Sequence, residues 1–159
     1  MIDPEQLIRQ YEYTVRLLDK QLANATAEQG FVIVGGYNIN WLTGHIVSGR
    51  QRVLERVGHP HIWTPEERAP YMNGSLPAEK EGPGVQRLET LLEALHRSQT
   101  LIAEGLRRIT PEQFAAPTEF PQDLNVQDRF LYLQFHESFH VGQIVLIAQT
   151  LGLPGAWLT

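Results

Sequence analysis

The chain of 159 residues contains no cysteine, and this absence limits its chemistry. Without cysteine there is no disulfide, no thiolate metal ligand and no cysteine nucleophile, so histidine or carboxylate side chains would have to hold any metal ion. Any thiol chemistry would need a thiol supplied by another molecule. Charge is also scarce, because 19% of the residues are charged while 42% are hydrophobic. That composition excludes a disordered chain.

Basic clusters and long apolar runs are missing as well. The 13 basic residues are outnumbered by 18 acidic ones and form no cluster beyond Arg107 and Arg108, which argues against nucleic-acid binding. No run approaches the roughly 20 apolar residues of a membrane span, and the amino terminus lacks the pattern of a signal peptide. We therefore expect a cytoplasmic protein without nucleic-acid or membrane partners, formed as a single domain over residues 1–159.

Helical periodicity and capping residues predict four long helices. Each begins at or near a residue that favours a helix start, such as Pro4 after Asp3 or Asn125 before the last apolar stripe. The expected spans are residues 4–23, a start at 38 or 40 running to 58, residues 85–109, and residues 125–151. With almost no strand signal, this pattern predicts an all-α four-helix bundle with a long crossover connection between the second and third helices.

Two connections carry further signals. Residues 59–84 hold five prolines and three glycines, and Thr64 can cap a single helical turn within them. A connection of this length either covers a functional site or simply bridges distant helix ends. The apolar run at residues 31–34 fits a short strand or a buried connecting segment, and we favour the second. Thr110 repeats the capping pattern before a loop at residues 117–122.

Two histidines on the last predicted helix are the strongest functional signal. His136 and His140 are four residues apart, so both imidazoles project from one face of the helix, the face that carries Ile144. A pair of core imidazoles must either find hydrogen-bond partners, such as tyrosine, asparagine or carbonyl groups, or bind a metal ion. The spacing of two histidines one turn apart favours the metal ion.

A third histidine lies on the apolar face of the second predicted helix. His45 precedes Gly49 by one turn, and glycine within a helix costs about 0.5–1 kcal/mol relative to alanine, so space is needed beside His45. Gly142 invites the same inference for His140, although close helix packing would explain both glycines. Three histidines from two helices would leave coordination positions open, which is typical of catalytic metal sites.

Residues 136–140 also match the zinc-protease pattern H-E-x-x-H. The protease interpretation fails because residues 141–159 contain no histidine, aspartate or glutamate to serve as the downstream third ligand. Glu137 is therefore either a catalytic base that activates water or, as we prefer, a solvated or salt-bridged carboxylate. Gln143 can orient a histidine ligand, and Trp41 can line a pocket or belong to the core. We expect His59, His61 and His96 to lie outside the site.

Two segments of the chain resemble the DinB/YfiT-like family of metalloenzymes. They are residues 38–46, with the sequence NINWLTGHI, and residues 136–144, with the sequence HESFHVGQI. The resemblance implies a four-helix bundle with an unusual crossover topology that usually forms a homodimer. It also implies a divalent zinc, nickel or iron ion held at the positions of His45, His136 and His140.

The same resemblance suggests a function. Characterised relatives include thiol-dependent enzymes, namely mycothiol-dependent isomerases and bacillithiol or glutathione S-transferases. We therefore expect a metal-dependent transferase that joins a low-molecular-weight thiol to a small electrophilic substrate. One alternative is a metal-dependent hydrolase using a bound hydroxide, with Glu137 as the base. A second is a non-catalytic protein of binding or stress-response function in which the metal ion stabilises the fold.

Overall fold

The computed structural model describes residues 2–119 and 125–155, and helices are its only regular elements there apart from one isolated bridge between Val34 and Tyr37. The prediction of an all-α fold is confirmed. The long helices are α1 (Pro4–Leu22), α3 (Ile39–Arg56), α5 (Leu88–Leu106) and α7 (Val126–Thr150), and the short ones are α2 (Ala27–Phe31), α4 (Pro65–Arg68) and α6 (Pro111–Ala115).

Side-chain caps explain where most of the helices begin. Asn38 and Asn125 accept hydrogen bonds from the first-turn amides of α3 and α7, and Asp3 caps α1 ahead of Pro4. Such caps satisfy amide groups that lack partners within the helix. Thr64 and Thr110 each form a full capping box, so the predicted single turn after Thr64 and the capping pattern at Thr110 are confirmed.

The third predicted helix is shorter than its apolar stripe. α5 begins at Leu88 and ends at Leu106, three residues inside each predicted end. Val85 lies instead in a turn closed by its amide and the Gly82 carbonyl, while Ile109 packs on the core from beyond the helix. Apolar residues that flank a helix can join its core without being helical, so the stripe overestimates the length.

The long helices pack in a ring. α1 and α3 each contact both α5 and α7. Their buried apolar side chains form two clusters, one containing Leu18, Leu42 and Ile144 and the other containing Leu7, Leu54 and Phe130. No described helix is both long enough and apolar enough to cross a bilayer.

A buried set of polar residues separates the two apolar clusters along every long helix. We call it the polar layer, and it consists of Thr14 on α1, Arg50 on α3, Ser98 on α5 and Glu137 on α7. Each of these residues lies between a member of one cluster and a member of the other in the sequence of its helix. The layer therefore connects all four long helices at one level of the bundle.

The apolar run at residues 31–34 differs from the predicted buried connecting segment. Phe31 is buried at the end of α2, but Val32 and Ile33 are 42% and 41% exposed. The interpretation as a buried connecting segment is therefore wrong for these two residues. The chain instead turns sharply through Gly35 and Gly36, whose φ angles of 61° and 88° lie in the left-handed region that favours glycine.

The connection between α3 and α5, residues 57–87, lies on α3, and we call it the strap. Tyr71 is buried, and its ring sits so close to Gly44 that a Cβ atom there would lie 2.2 Å from it. The Tyr71 hydroxyl accepts a 2.7 Å hydrogen bond from the Gln86 amide, and Asn40 donates one of 2.8 Å to the Gln86 carbonyl. These contacts place the middle of the strap beside α3. In the next predicted loop, residues 120–122 lie outside the described residues.

Candidate metal centre

The three predicted histidines come together where α3 packs against α7. One ring nitrogen from each of His45, His136 and His140 can be chosen so that all three lie within 4.8 Å of one another. The Nε2 atoms of His136 and His140 are 3.1 Å apart, as expected for imidazoles one helical turn apart. All three side chains are partly exposed. The sequence thus predicted which histidines meet.

Hydrogen bonds fix the orientation of two of these imidazoles. His45 Nδ1 lies 2.7 Å from the carbonyl oxygen of Tyr71, which can only accept, so Nδ1 carries the proton and donates it. His140 Nδ1 lies 2.6 Å from Gln143 Oε1 and donates in the same way. Each Nε2 therefore keeps its lone pair, as in histidines that bind metals. The contact predicted between Gln143 and a histidine is present.

The imidazoles are neutral at physiological pH. Burial is the main cause that lowers the pKa of all three. For His136, electrostatic interaction with His140 and His45, and then with Arg52 and Arg129, adds to burial and brings the pKa to about 4. The charge of Arg52 also lowers the pKa of His45. Neutral imidazoles offer a lone pair that protonated ones lack, so the surroundings favour metal binding over protonation.

A cavity of about 340 Å³ opens in front of the histidines. Trp41 stacks on His45 with 4.8 Å between ring centroids, and it is both a lining residue and nearly buried. Strap residues Met72 and Asn73 also line the cavity, so the long connection forms part of the site. The full lining consists of Tyr37, Trp41, His45, Ser48, Gly49, Arg52, Met72, Asn73, Tyr132, Leu133, His136 and His140.

The two glycines singled out in the sequence differ. Gly49 lines this cavity, and a Cβ atom there would meet nothing within 4 Å, so the space predicted beside His45 exists. Gly142 is exposed and lines a separate groove between α1 and α7. Its inferred role of making room for His140 is wrong, because the helix turns it away from the cavity.

Glu137 belongs to the polar layer rather than to the surface. It is 3% exposed, and its two carboxylate oxygens accept hydrogen bonds of 2.8 and 2.7 Å from Nε and Nη2 of Arg50. Thr14 also donates to it. The expectation of a solvated carboxylate is wrong and the salt-bridge alternative is confirmed. A role for Glu137 as catalytic base stays a prediction. In that role the carboxylate would have to accept a proton while Arg50 binds both of its oxygens.

The other histidines lie apart from the triad, as expected. His59 Nε2 is 2.7 Å from an Arg108 guanidinium nitrogen, and His96 Nε2 is 2.9 Å from Asp19. His61 is exposed, 3.8 Å from Glu55. Trp63 packs against Tyr71 in the core, with 5.7 Å between ring centroids, and not around the cavity.

Several cavity residues were missed in the sequence. Ser48 and Arg52 follow His45 at helical spacing on α3, so a search for polar residues sharing its face would have found them. Tyr37, Met72 and Asn73 come from connections without periodicity. The folded strap brings Met72 and Asn73 to the histidines, and the turn before α3 brings Tyr37 there.

The donor set fits a divalent cation. Zinc, nickel and iron ions accept neutral imidazole nitrogens, and catalytic zinc sites typically combine three protein ligands with an open position. Here two nitrogens are oriented by Tyr71 and Gln143, and the cavity lies on the open side. Within residues 2–119 and 125–155, His45, His136 and His140 form the one group of three such residues close enough to hold a metal ion.

Fold and site together define a helical protein with an open three-histidine candidate metal centre. The family model of the DinB superfamily matches residues 6–144, so the chain belongs to the DinB superfamily. No curated protein gives a significant match to the chain. Membership and the histidine triad agree with a metal-dependent protein.

Proposed function

We propose that the protein is a metal-dependent transferase that joins a low-molecular-weight thiol, of the bacillithiol, mycothiol or glutathione type, to a small electrophilic substrate. The observation that carries the proposal is the cluster of neutral imidazoles, with Nε2 of His45 and His140 free of protons, at the wall of an accessible cavity. The absence of cysteine supports it, because the sulfur must then come from a cosubstrate. We propose zinc or nickel as the metal ion, with iron as the third candidate.

In this proposal the residues of the chain bind and orient the reactants. His45, His136 and His140 would hold the divalent ion, which when bound lowers the pKa of a thiol and so supplies a thiolate nucleophile. Tyr71 and Gln143 keep two of the imidazoles in the required orientation. As the new carbon–sulfur bond forms, the leaving group departs with the bonding electron pair, and the thiol proton passes to solvent.

The hydrolase alternative is second. The same open site would also serve a hydrolase. Its base would be Glu137, whose two carboxylate oxygens already accept hydrogen bonds from Arg50. A base must be free to accept a proton from water in the reaction. The non-catalytic alternative, a binding or stress-response protein stabilised by its metal ion, predicts stability without turnover.

The test is fluorescent conjugate formation with monochlorobimane. Protein loaded with zinc or nickel is mixed with each of the three thiols, and we expect conjugation above the uncatalysed rate. His140→Ala should abolish the excess rate because it removes a metal ligand. His96→Ala is the matched control, since that histidine pairs with Asp19 on the surface, and should conjugate like wild type.

Two results would contradict the proposal. Ester or amide hydrolysis without conjugation would favour the hydrolase. Stoichiometric metal and a large loss of stability on chelation, with neither reaction, would favour the non-catalytic alternative.

We also propose that the protein is a homodimer. α7 carries a stripe of exposed side chains at helical spacing, and large exposed apolar patches are uncommon on monomers. The stripe consists of Leu131, Phe135, Phe139 and Leu146, which are 37%, 66%, 56% and 64% exposed. A second copy of α7 would cover the stripe in a symmetric contact.

Sedimentation velocity tests the dimer. Wild type should sediment as a dimer, and Leu146→Asp should shift it towards monomer because it buries an unpaired charge in the contact. Thr100→Asp, which introduces the same charge at an exposed position on α5, is the matched control. A monomeric wild type, or equal effects of both variants, would contradict this proposal.

A further inference from the structure

The cavity in front of the histidines has an unusual charge for this protein. The chain is acidic, with a formal net charge of -5. Among the described residues that line the cavity, Arg52 is the one arginine or lysine, and there is no aspartate or glutamate. The entrance to the candidate metal centre is therefore positive although the protein as a whole is negative.

Arg52 is available for a ligand. It lies on α3, exposed, and among the described residues its guanidinium makes no hydrogen bond or ion pair with another side chain. By contrast, Arg50 two residues earlier is buried and bound to Glu137. An arginine beside a cavity, with its donors unused, can form paired hydrogen bonds with a carboxylate or phosphate.

Position along α3 connects Arg52 to the histidines. His45, Gly49 and Arg52 are spaced by four and three residues, so they share one face of the helix. The seven residues from His45 to Arg52 correspond to about 10 Å along the axis. A small molecule can therefore contact Arg52 at one end while its other end reaches the histidines.

A second arginine increases the positive charge. Arg68, in the strap, is partly buried, and burial is the main cause of its lowered pKa. The charge of Arg52 lowers it further, and the smaller effect of Glu55 opposes this. An anion in the cavity would relieve this accumulation of positive charge.

We propose that the small-molecule substrate carries a carboxylate or phosphate group, and that Arg52 binds this group while the reacting end lies at the histidines. Calling this molecule a substrate rests on the proposed function. The recognition of an anion by Arg52 does not require turnover. Tyr37, Trp41 and Met72 give the cavity an apolar wall, so the substrate combines an anionic end with an apolar body.

Calorimetric titration with matched probes tests this proposal. Phenylacetate and phenylacetamide differ in charge but hardly in shape, and phenylphosphonate represents the phosphate class. We expect zinc-loaded protein to bind phenylacetate or phenylphosphonate at least about tenfold more tightly than phenylacetamide. Whichever anion binds more tightly identifies the class of group.

Variants separate Arg52 from the metal ion, which also attracts anions. Arg52→Gln should remove most of the preference for the anion, and Arg52→Lys should restore part of it. Arg97→Gln changes the net charge equally at an exposed position on α5 and is the matched control. Metal-free protein should retain a weaker preference that still depends on Arg52.

The proposal would be overturned by equal binding of phenylacetate and phenylacetamide, by an unchanged preference in Arg52→Gln, or by no measurable binding of either anion. An equal loss in Arg97→Gln would also overturn it, because only overall charge would then matter. A preference that depends on Arg52, without thiol conjugation, would retain the anionic ligand and reject the transferase.

Discussion

Two polar clusters occupy neighbouring levels of the same bundle, yet they differ in charge, in burial and in access to a cavity. The polar layer is charged and buried, and its central pair, Arg50 and Glu137, is linked by two hydrogen bonds. The histidine cluster is neutral and partly exposed, and it faces a cavity. Adjacent residues in the sequence, His136 and Glu137, belong to different clusters because successive residues point about 100° apart on a helix.

The comparison shows how a bundle can separate stability from chemistry. Arg50 reaches α5 and α1 as well as α7, because it also donates to Ser98 and to the carbonyls of Leu95 and Tyr11. Because all three guanidinium nitrogens of Arg50 donate hydrogen bonds inside the bundle, none is left for a ligand. In His45 and His140 the internal hydrogen bond uses Nδ1, so Nε2 keeps a lone pair for an ion. We therefore expect substitutions in the two clusters to have distinct effects.

The largest expected effect is on the polar layer. Glu137→Leu leaves the Arg50 guanidinium buried without its counter-ion, and losing one partner of a buried pair typically costs about 3–5 kcal/mol. We expect a loss of this size in the free energy of unfolding of metal-free protein, measured by urea titration. The double variant Arg50→Met with Glu137→Leu should recover most of the loss. A double variant as unstable as the single one would refute the coupling.

The next largest effect is on stabilisation by metal, which we expect to depend on the histidine cluster and not on the polar layer. His140→Ala should change the free energy of unfolding of metal-free protein by less than about 1 kcal/mol, because this side chain is partly exposed. It should abolish the stabilisation by added zinc, which for wild type is about 2.7 kcal/mol at a hundredfold excess over Kd. His96→Ala should keep that stabilisation. Full metal content in His140→Ala would contradict the triad.

A smaller effect concerns the strap that supports His45. Gly44→Ala would force a Cβ atom against the Tyr71 ring, and such overpacking costs about 1–3 kcal/mol. Because Tyr71 also accepts the hydrogen bond from His45, metal affinity should fall as well. Gly49→Ala on the same helix meets open space and should raise stability by about 0.5–1 kcal/mol. Equal unfolding midpoints for the two variants would contradict the close packing of Tyr71 on Gly44.

The smallest effect concerns orientation alone. Gln143→Leu removes the acceptor that holds His140 Nδ1, and loss of such support typically weakens metal binding about tenfold or more. Competition with a chelator measures this change, and metal-free stability should stay unchanged. Gln134→Leu removes a hydrogen bond to Ser138 on the same helix and is the control. An equal loss of affinity in the control would point to a general effect on α7.

Local signals predicted much of the fold and the centre of the site. Capping residues and apolar spacing placed the long helices within about three residues, because both depend on neighbours within one helical turn. The same spacing placed His136 and His140 on one face. The burial of Val32 and Ile33 was predicted wrongly, because an apolar run does not reveal how the chain is placed by the turn at Gly35 and Gly36 that follows it.

The sequence alone determined the helical class, the family likeness and the three histidines, because helical period and residue chemistry are local properties. Tertiary structure alone decided that Glu137 pairs with Arg50 and that Tyr71 orients His45. The physical reason is distance along the chain: Arg50 and Glu137 are 87 residues apart, and Tyr71 and His45 are 26 apart. Contacts of this kind form only when packing brings separate helices and the strap together.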